Sequence, residues 1–127
     1  MKYSIWYAII VGVLLVILWG VMILGNTVPE FVSEPWAIAH HITAEMGIAA
    51  TLLIGGLGAL RSKHWAPTWL LVGLGMVIYS AINSSGYYSQ QGQWGVVFMF
   101  LVVLGAAVWA VRNLLPKPAK HRHHRRR

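Results

Sequence analysis

The segment His40-His41-Ile42-Thr43-Ala44-Glu45 holds the side chains of this sequence best suited to chemistry. His41 and Glu45 stand four residues apart, the spacing that puts two side chains on one face of a helix, while His40 is turned about 100° away. An imidazole and a carboxyl group so placed could grip a small ligand, handle a proton or offer two ligands to a metal ion. Zinc ordinarily takes at least three protein ligands. A metal on His41 and Glu45, even with His40 joining from a bent helix start, would therefore need subunits to pool their ligands. Further along, Tyr79, Asn83 and Tyr87 repeat at the same spacing and share a face of their own. Together these six residues are the candidate ligand or proton site. No nucleophile–base–acid set, phosphate-cradling glycine loop or carboxylate pair is present, so an enzyme is not expected. Cysteine is absent, which removes disulfides, thiol catalysis and thiolate metal sites. The residues specify no cofactor.

The elements that position these groups follow from where charge is missing. Of 127 residues, 57% are apolar and 10% charged, against about 25% charged in an ordinary water-soluble domain. No Asp, Glu, Lys or Arg occurs in the 48 residues from His64 to Val111 or the 27 from Tyr3 to Pro29. A membrane crossing takes about 20 mostly apolar residues. The composition thus excludes a disordered chain and, despite a net charge of +7, a basic nucleic-acid-binding domain.

Four helices are expected, at about 5–24, 35–60, 67–84 and 95–111. Gly25 to Glu30 breaks the first, Ser33-Glu34-Pro35 opens the second with capping groups and a first-turn proline, and Arg61-Ser62-Lys63 ends it. The polar stretch from Asn83 to Gln93 divides the long uncharged run. The expected fold is an all-α membrane protein, an up-down four-transmembrane-helix bundle over residues 1–113, with a basic, disordered tail over 114–127. All ten Lys and Arg lie in Lys2, the second connection (Arg61, Lys63) or the segment from Arg112 onward, while the first connection carries Glu30 and Glu34. Positive charge marks the cytoplasmic side, so a multi-pass protein of the cell membrane with both termini cytoplasmic is expected. Most tryptophans fall near a helix end, where amphipathic rings sit; only Trp19 lies deeper.

Counting back from Leu60 puts His40 and His41 near the outer boundary, with Glu45 roughly 6–8 Å deeper. The same count on the third helix levels Asn83 with Glu45 and sets Tyr79 one turn further in. A charge at mid-helix costs about 2.5–3.5 kcal/mol on insertion scales, and each Leu or Ile returns only about 0.3–0.6. Such a group is expected to face the bundle and have a partner. His41, Asn83 and Tyr79 are the expected partners of Glu45. Small residues at Gly47, Thr51, Gly55 and Ala59 recur every four positions, which suits close packing inside the chain. The tail residues Lys117, Lys120, Arg122, Arg125, Arg126 and Arg127 are expected to bind anionic lipid headgroups, each worth about 1 kcal/mol.

The pattern of Glu45, Gly55-Gly56 and the run Gly75-Met76-Val77-Ile78-Tyr79-Ser80-Ala81-Ile82-Asn83-Ser84-Ser85-Gly86-Tyr87-Tyr88 resembles uncharacterised small four-helix membrane proteins of prokaryotes. The resemblance covers about half of the chain and implies the architecture and the choice of Asn83 and Tyr87, but no activity. The first functional expectation is an accessory or structural subunit, homo-oligomeric or part of a larger membrane complex, whose polar cluster fixes packing. The alternatives are an outer-leaflet protein binding a small ligand, a quinone or a metal, and a proton-coupled oligomeric transporter using Glu45.

Overall fold

Glu34-Pro35 and Arg61 bound the longest helix where the sequence predicts. The computed structural model describes residues 1–116, which form five helices: α1 (Lys2–Leu24), α2 (Glu30–Ser33), α3 (Pro35–Leu60), α4 (Ala66–Gln90) and α5 (Trp94–Leu114). The short α2 lies within the connection from α1 to α3. The other four are each long and apolar enough to cross a membrane. The tail residues assigned to lipid, Lys117 through Arg127, lie outside the described residues.

Each connection begins with the same backbone device. At Asn26, Ser62 and Gly92 the chain turns left-handed, with φ of 51°, 53° and 69°. The following amide then reaches five residues back into the helix: Thr27 to Met22, Lys63 to Gly58 and Gln93 to Tyr88, at 2.9–3.1 Å. This arrangement satisfies carbonyls that a helix end otherwise leaves bare. Glycine takes this conformation without strain, and asparagine tolerates it; Ser62 is the costlier choice.

One boundary departs from expectation. The turn predicted across 83–93 shrinks to Gln91-Gly92-Gln93, and α4 runs on to Gln90. The serines there do not compete with the helix. Ser85 Oγ donates to the Ile82 carbonyl at 2.8 Å and Ser89 Oγ to the Ser85 carbonyl at 2.7 Å. Hydroxyls folded back in this way satisfy themselves on their own helix, so polar composition no longer signals a break.

Around the bundle α1 packs on α3, α3 on α4 and α4 on α5, with a lighter α1–α5 contact closing the ring. We call the end with Met1, the α3–α4 connection and the end of α5 basal, and the other end apical. The main core fills the basal side, with Ile5, Ala8, Leu52, Leu70, Leu74, Ala107 and Ala110 buried together. Here the small-residue stripe packs within the chain, as expected. A Cβ built on Gly55 would stand 2.8 Å from the Leu70 backbone nitrogen, so α3 and α4 meet there backbone to backbone. The α1–α5 seam is laced basally by Tyr3, Ser4 and Tyr7, whose hydroxyls donate to the carbonyls of Ala106, Ala110 and Val103 at 3.4, 2.8 and 2.9 Å. Apically a smaller cluster of Trp19, Val28 and Ile38 replaces this core.

Candidate functional site

Glu45, on the inward face of α3, is 8% exposed. Its Oε2 accepts a hydrogen bond from Trp19 Nε1 of α1 at 2.5 Å. Its Oε1 lies 3.4 Å from His41 Nε2, one turn earlier on α3, and 3.5 Å from Ser80 Oγ of α4. The His41 ring meets Trp19 edge-on, with centroids 5.8 Å apart. Three helices thus converge on one carboxyl group, which is the partnering that a buried acid requires. An indole N–H can only donate, so Oε2 must accept. Ser80 and His41 can each donate or accept, and Oε1 therefore finds a partner with or without a proton of its own.

Two hollows adjoin this centre. A groove of about 380 Å³ runs between α3 and α4 on the side of the bundle, lined among others by Val72, Gly75, Met76 and Tyr79. A cleft of about 630 Å³ enters from the apical end, between α1 and α5 on one side and α3 and α4 on the other. His41, Glu45 and Asn83 line both. The cleft exists because no apical counterpart of the Tyr3–Ser4–Tyr7 lacing ties α1 to α5 among the described residues. Its deep wall is apolar, with Val11, Leu15 and Val103, and its mouth carries Glu30, Glu34 and Tyr87.

The predicted site residues are only partly gathered. His41 and Glu45 share a face and touch, as their spacing requires. Asn83 lines the cleft but does not bond Glu45; Ser80, one turn deeper on α4, takes that place. Counting residues along two helices fixes a level only to about a turn, because it ignores how the helices tilt and how far each side chain reaches. Tyr79 is 73% exposed on the groove side and is likewise not a partner of Glu45. Tyr87 is half exposed at the mouth, edge-on to Tyr88, which stacks on Phe100 of α5 with centroids 5.8 Å apart. His40 points away, its Nδ1 donating to the Trp36 carbonyl at 2.8 Å. No group of three His, Asp or Glu suited to a metal ion occurs among the described residues, so His41 and Glu45 fall short of the usual zinc set.

Trp19, Ser80 and Ser84 are the residues that sequence reasoning missed. A signal for Trp19 was present. A tryptophan away from both ends of an apolar span needs an acceptor for its N–H, and Glu45 was the acid at comparable depth.

Comparison with protein families places this chain. A family model described as a domain of unknown function, DUF8058, matches residues 1–126. The chain belongs to the DUF8058 family. No curated protein and no solved structure matches it. DUF8058 membership therefore agrees with the resemblance to an uncharacterised family and adds no activity.

Proposed function

We propose that this protein is a multi-pass membrane protein that binds a small amphipathic molecule in its apical cleft, polar group toward Glu45, His41 and Asn83 and apolar part along α1 and α5. The cleft carries this reading. Ligand sites are typically concavities of about 300–1,000 Å³, mostly apolar with a few converging polar groups, and this one has that size and that composition. Exposed Ile10, Val13, Ile17 and Val21 of α1, none of which lines the cleft, support the membrane setting, since lipid covers such residues without cost. The distribution of Lys and Arg supports a cytoplasmic basal end, with both termini there, and the cleft would then open near the outer leaflet.

Because the chain has no cysteine, single replacements report orientation cleanly. Ser33→Cys is expected to react with a membrane-impermeant maleimide in intact cells, and Ser62→Cys only after permeabilisation. The reverse pattern would invert the topology.

Binding is tested by photolabelling the purified protein in nanodiscs with a benzophenone-tagged dodecanol. Adducts are expected on Leu15, Met22, Met99 and Phe100, and to fall by roughly tenfold in Leu15→Trp, which fills the cleft. Adducts scattered along the outer face of α1, unchanged in Leu15→Trp, would refute a site in the cleft. They would leave the polar cluster as a packing clamp in an accessory subunit.

A further inference from the structure

We propose that the occupant of the cleft is a lipophilic cation, drawn in past the carboxylates of the mouth, its head at the level of Glu45 and its apolar tail directed toward Val11 and Val103. The proposal deepens the binding function above and rests on it.

The chain has three acidic residues in all, Glu30, Glu34 and Glu45, and all three line this one cleft. Of the Lys and Arg among the described residues, Lys2, Arg61, Lys63 and Arg112, none lines it. Among the described residues the sole ion pair of these acids joins Glu45 to His41. Even a protonated His41 would balance only one of the three carboxylates. Glu34 and Glu45 lie eleven residues apart on one helix, about 16 Å along its axis, so negative charge runs from mouth to interior rather than resting in one surface spot. Charge of one sign between low-dielectric walls concentrates its field in the space between them and draws in the opposite charge.

Independent of charge, a hydroxyl waits in the same space. Ser84 is 8% exposed and lines the cleft. Its neighbours Ser80, Ser85 and Ser89 all have hydrogen-bond partners, whereas the Ser84 hydroxyl has none among the described residues. Among the described residues no fully enclosed side-chain polar atom lacks a partner, so the Ser84 oxygen is not fully enclosed, and Ser84 lines the cleft. A hydroxyl on the cleft wall with no partner of its own can turn its oxygen lone pairs toward a cationic head. Trp19, Tyr87, Tyr88 and Phe100 supply ring faces and edges around this level, and aromatic faces attract cations by their quadrupoles. A neutral or anionic head would leave Glu30 and Glu34, which have no ion pair among the described residues, without an opposite charge.

The test is competition against the photoprobe with three amphipaths of matched chain: dodecyltrimethylammonium, dodecanol and dodecanoate. The ammonium compound is expected to halve the labelling of Met99 and Phe100 at a concentration about tenfold below dodecanol, with dodecanoate the weakest. In Glu45→Gln, where the amide oxygen can still accept from Trp19, the advantage of the ammonium compound over dodecanol should shrink several-fold. Glu30→Gln/Glu34→Gln, altered only at the mouth, should shrink it as well and serves if Glu45→Gln does not fold. Equal potency of the ammonium compound and dodecanol on the wild type would overturn the cation assignment and leave the binding site standing. Failure of every amphipath to displace the probe would overturn both.

Discussion

The basal and apical halves of this bundle are built from the same four helices and differ in nearly everything else. Basally, glycine and serine let backbones approach, hydroxyls of α1 reach the carbonyls of α5, and the core is closed. Apically, α1 meets α3 through the large ring of Trp19 and a buried acid, and the α1–α5 seam stands apart around a cleft. The contrast separates two ways of holding helices together. Small residues exchange volume for close contact, which depends on shape alone. The Trp19–Glu45 link spans a wider gap and depends on one donor and one acceptor. A half built the first way is a poor place for a ligand, and a half built the second way leaves room for one.

The contrast can be broken most severely at Gly55. Gly55→Leu forces a branched side chain into the backbone of α4 and is expected to cost at least about 1–3 kcal/mol, read as loss of monodisperse protein or a large drop in melting temperature in detergent. Wild-type behaviour of this variant would mean that the basal contact is far looser than described. Next comes Glu45→Ala, which strands the buried Trp19 N–H at a cost of about 1–3 kcal/mol. Glu45→Gln, keeping an acceptor, should lie close to wild type in the same thermal unfolding assay. Equal losses in both would show that charge, and not the hydrogen bond, holds the apical half. The smallest effect is expected at the basal seam, where Ser4→Ala or Tyr7→Phe removes one hydrogen bond worth about 0.6 kcal/mol in a membrane. Tyr7→Phe sharpens the comparison in another way, because Tyr7 bonds Val103 at the deep end of the cleft. Photolabelling should then spread basally; an unchanged adduct map would dissociate that bond from the cleft floor.

Much of the fold was legible because charge and helix-end chemistry announce themselves locally. Pro35 and the Arg61-Ser62-Lys63 turn bound α3 as read, and the small residues ending at Ala59 pack within the chain. The end of α4 was not legible, since Ser85 and Ser89 turn their hydroxyls onto their own helix and polar residues remained helical. Separately, a residue count along α4 levelled Asn83 with Glu45, and the partner proved to be Ser80, one turn away. Within the site, the pairing of His41 with Glu45 follows from helical spacing, which is a property of one element. The Trp19–Glu45 bond joins residues 26 positions apart in different helices, and no spacing rule reaches across that gap. Only the question of what a deep indole N–H bonds to could have done so.

His41, Glu45 and Asn83 face both the cleft and the lateral groove. A molecule bound in the cleft as proposed would rest against side chains that also border a second hollow in the flank of the bundle, so a change in their rotamers would join the two spaces.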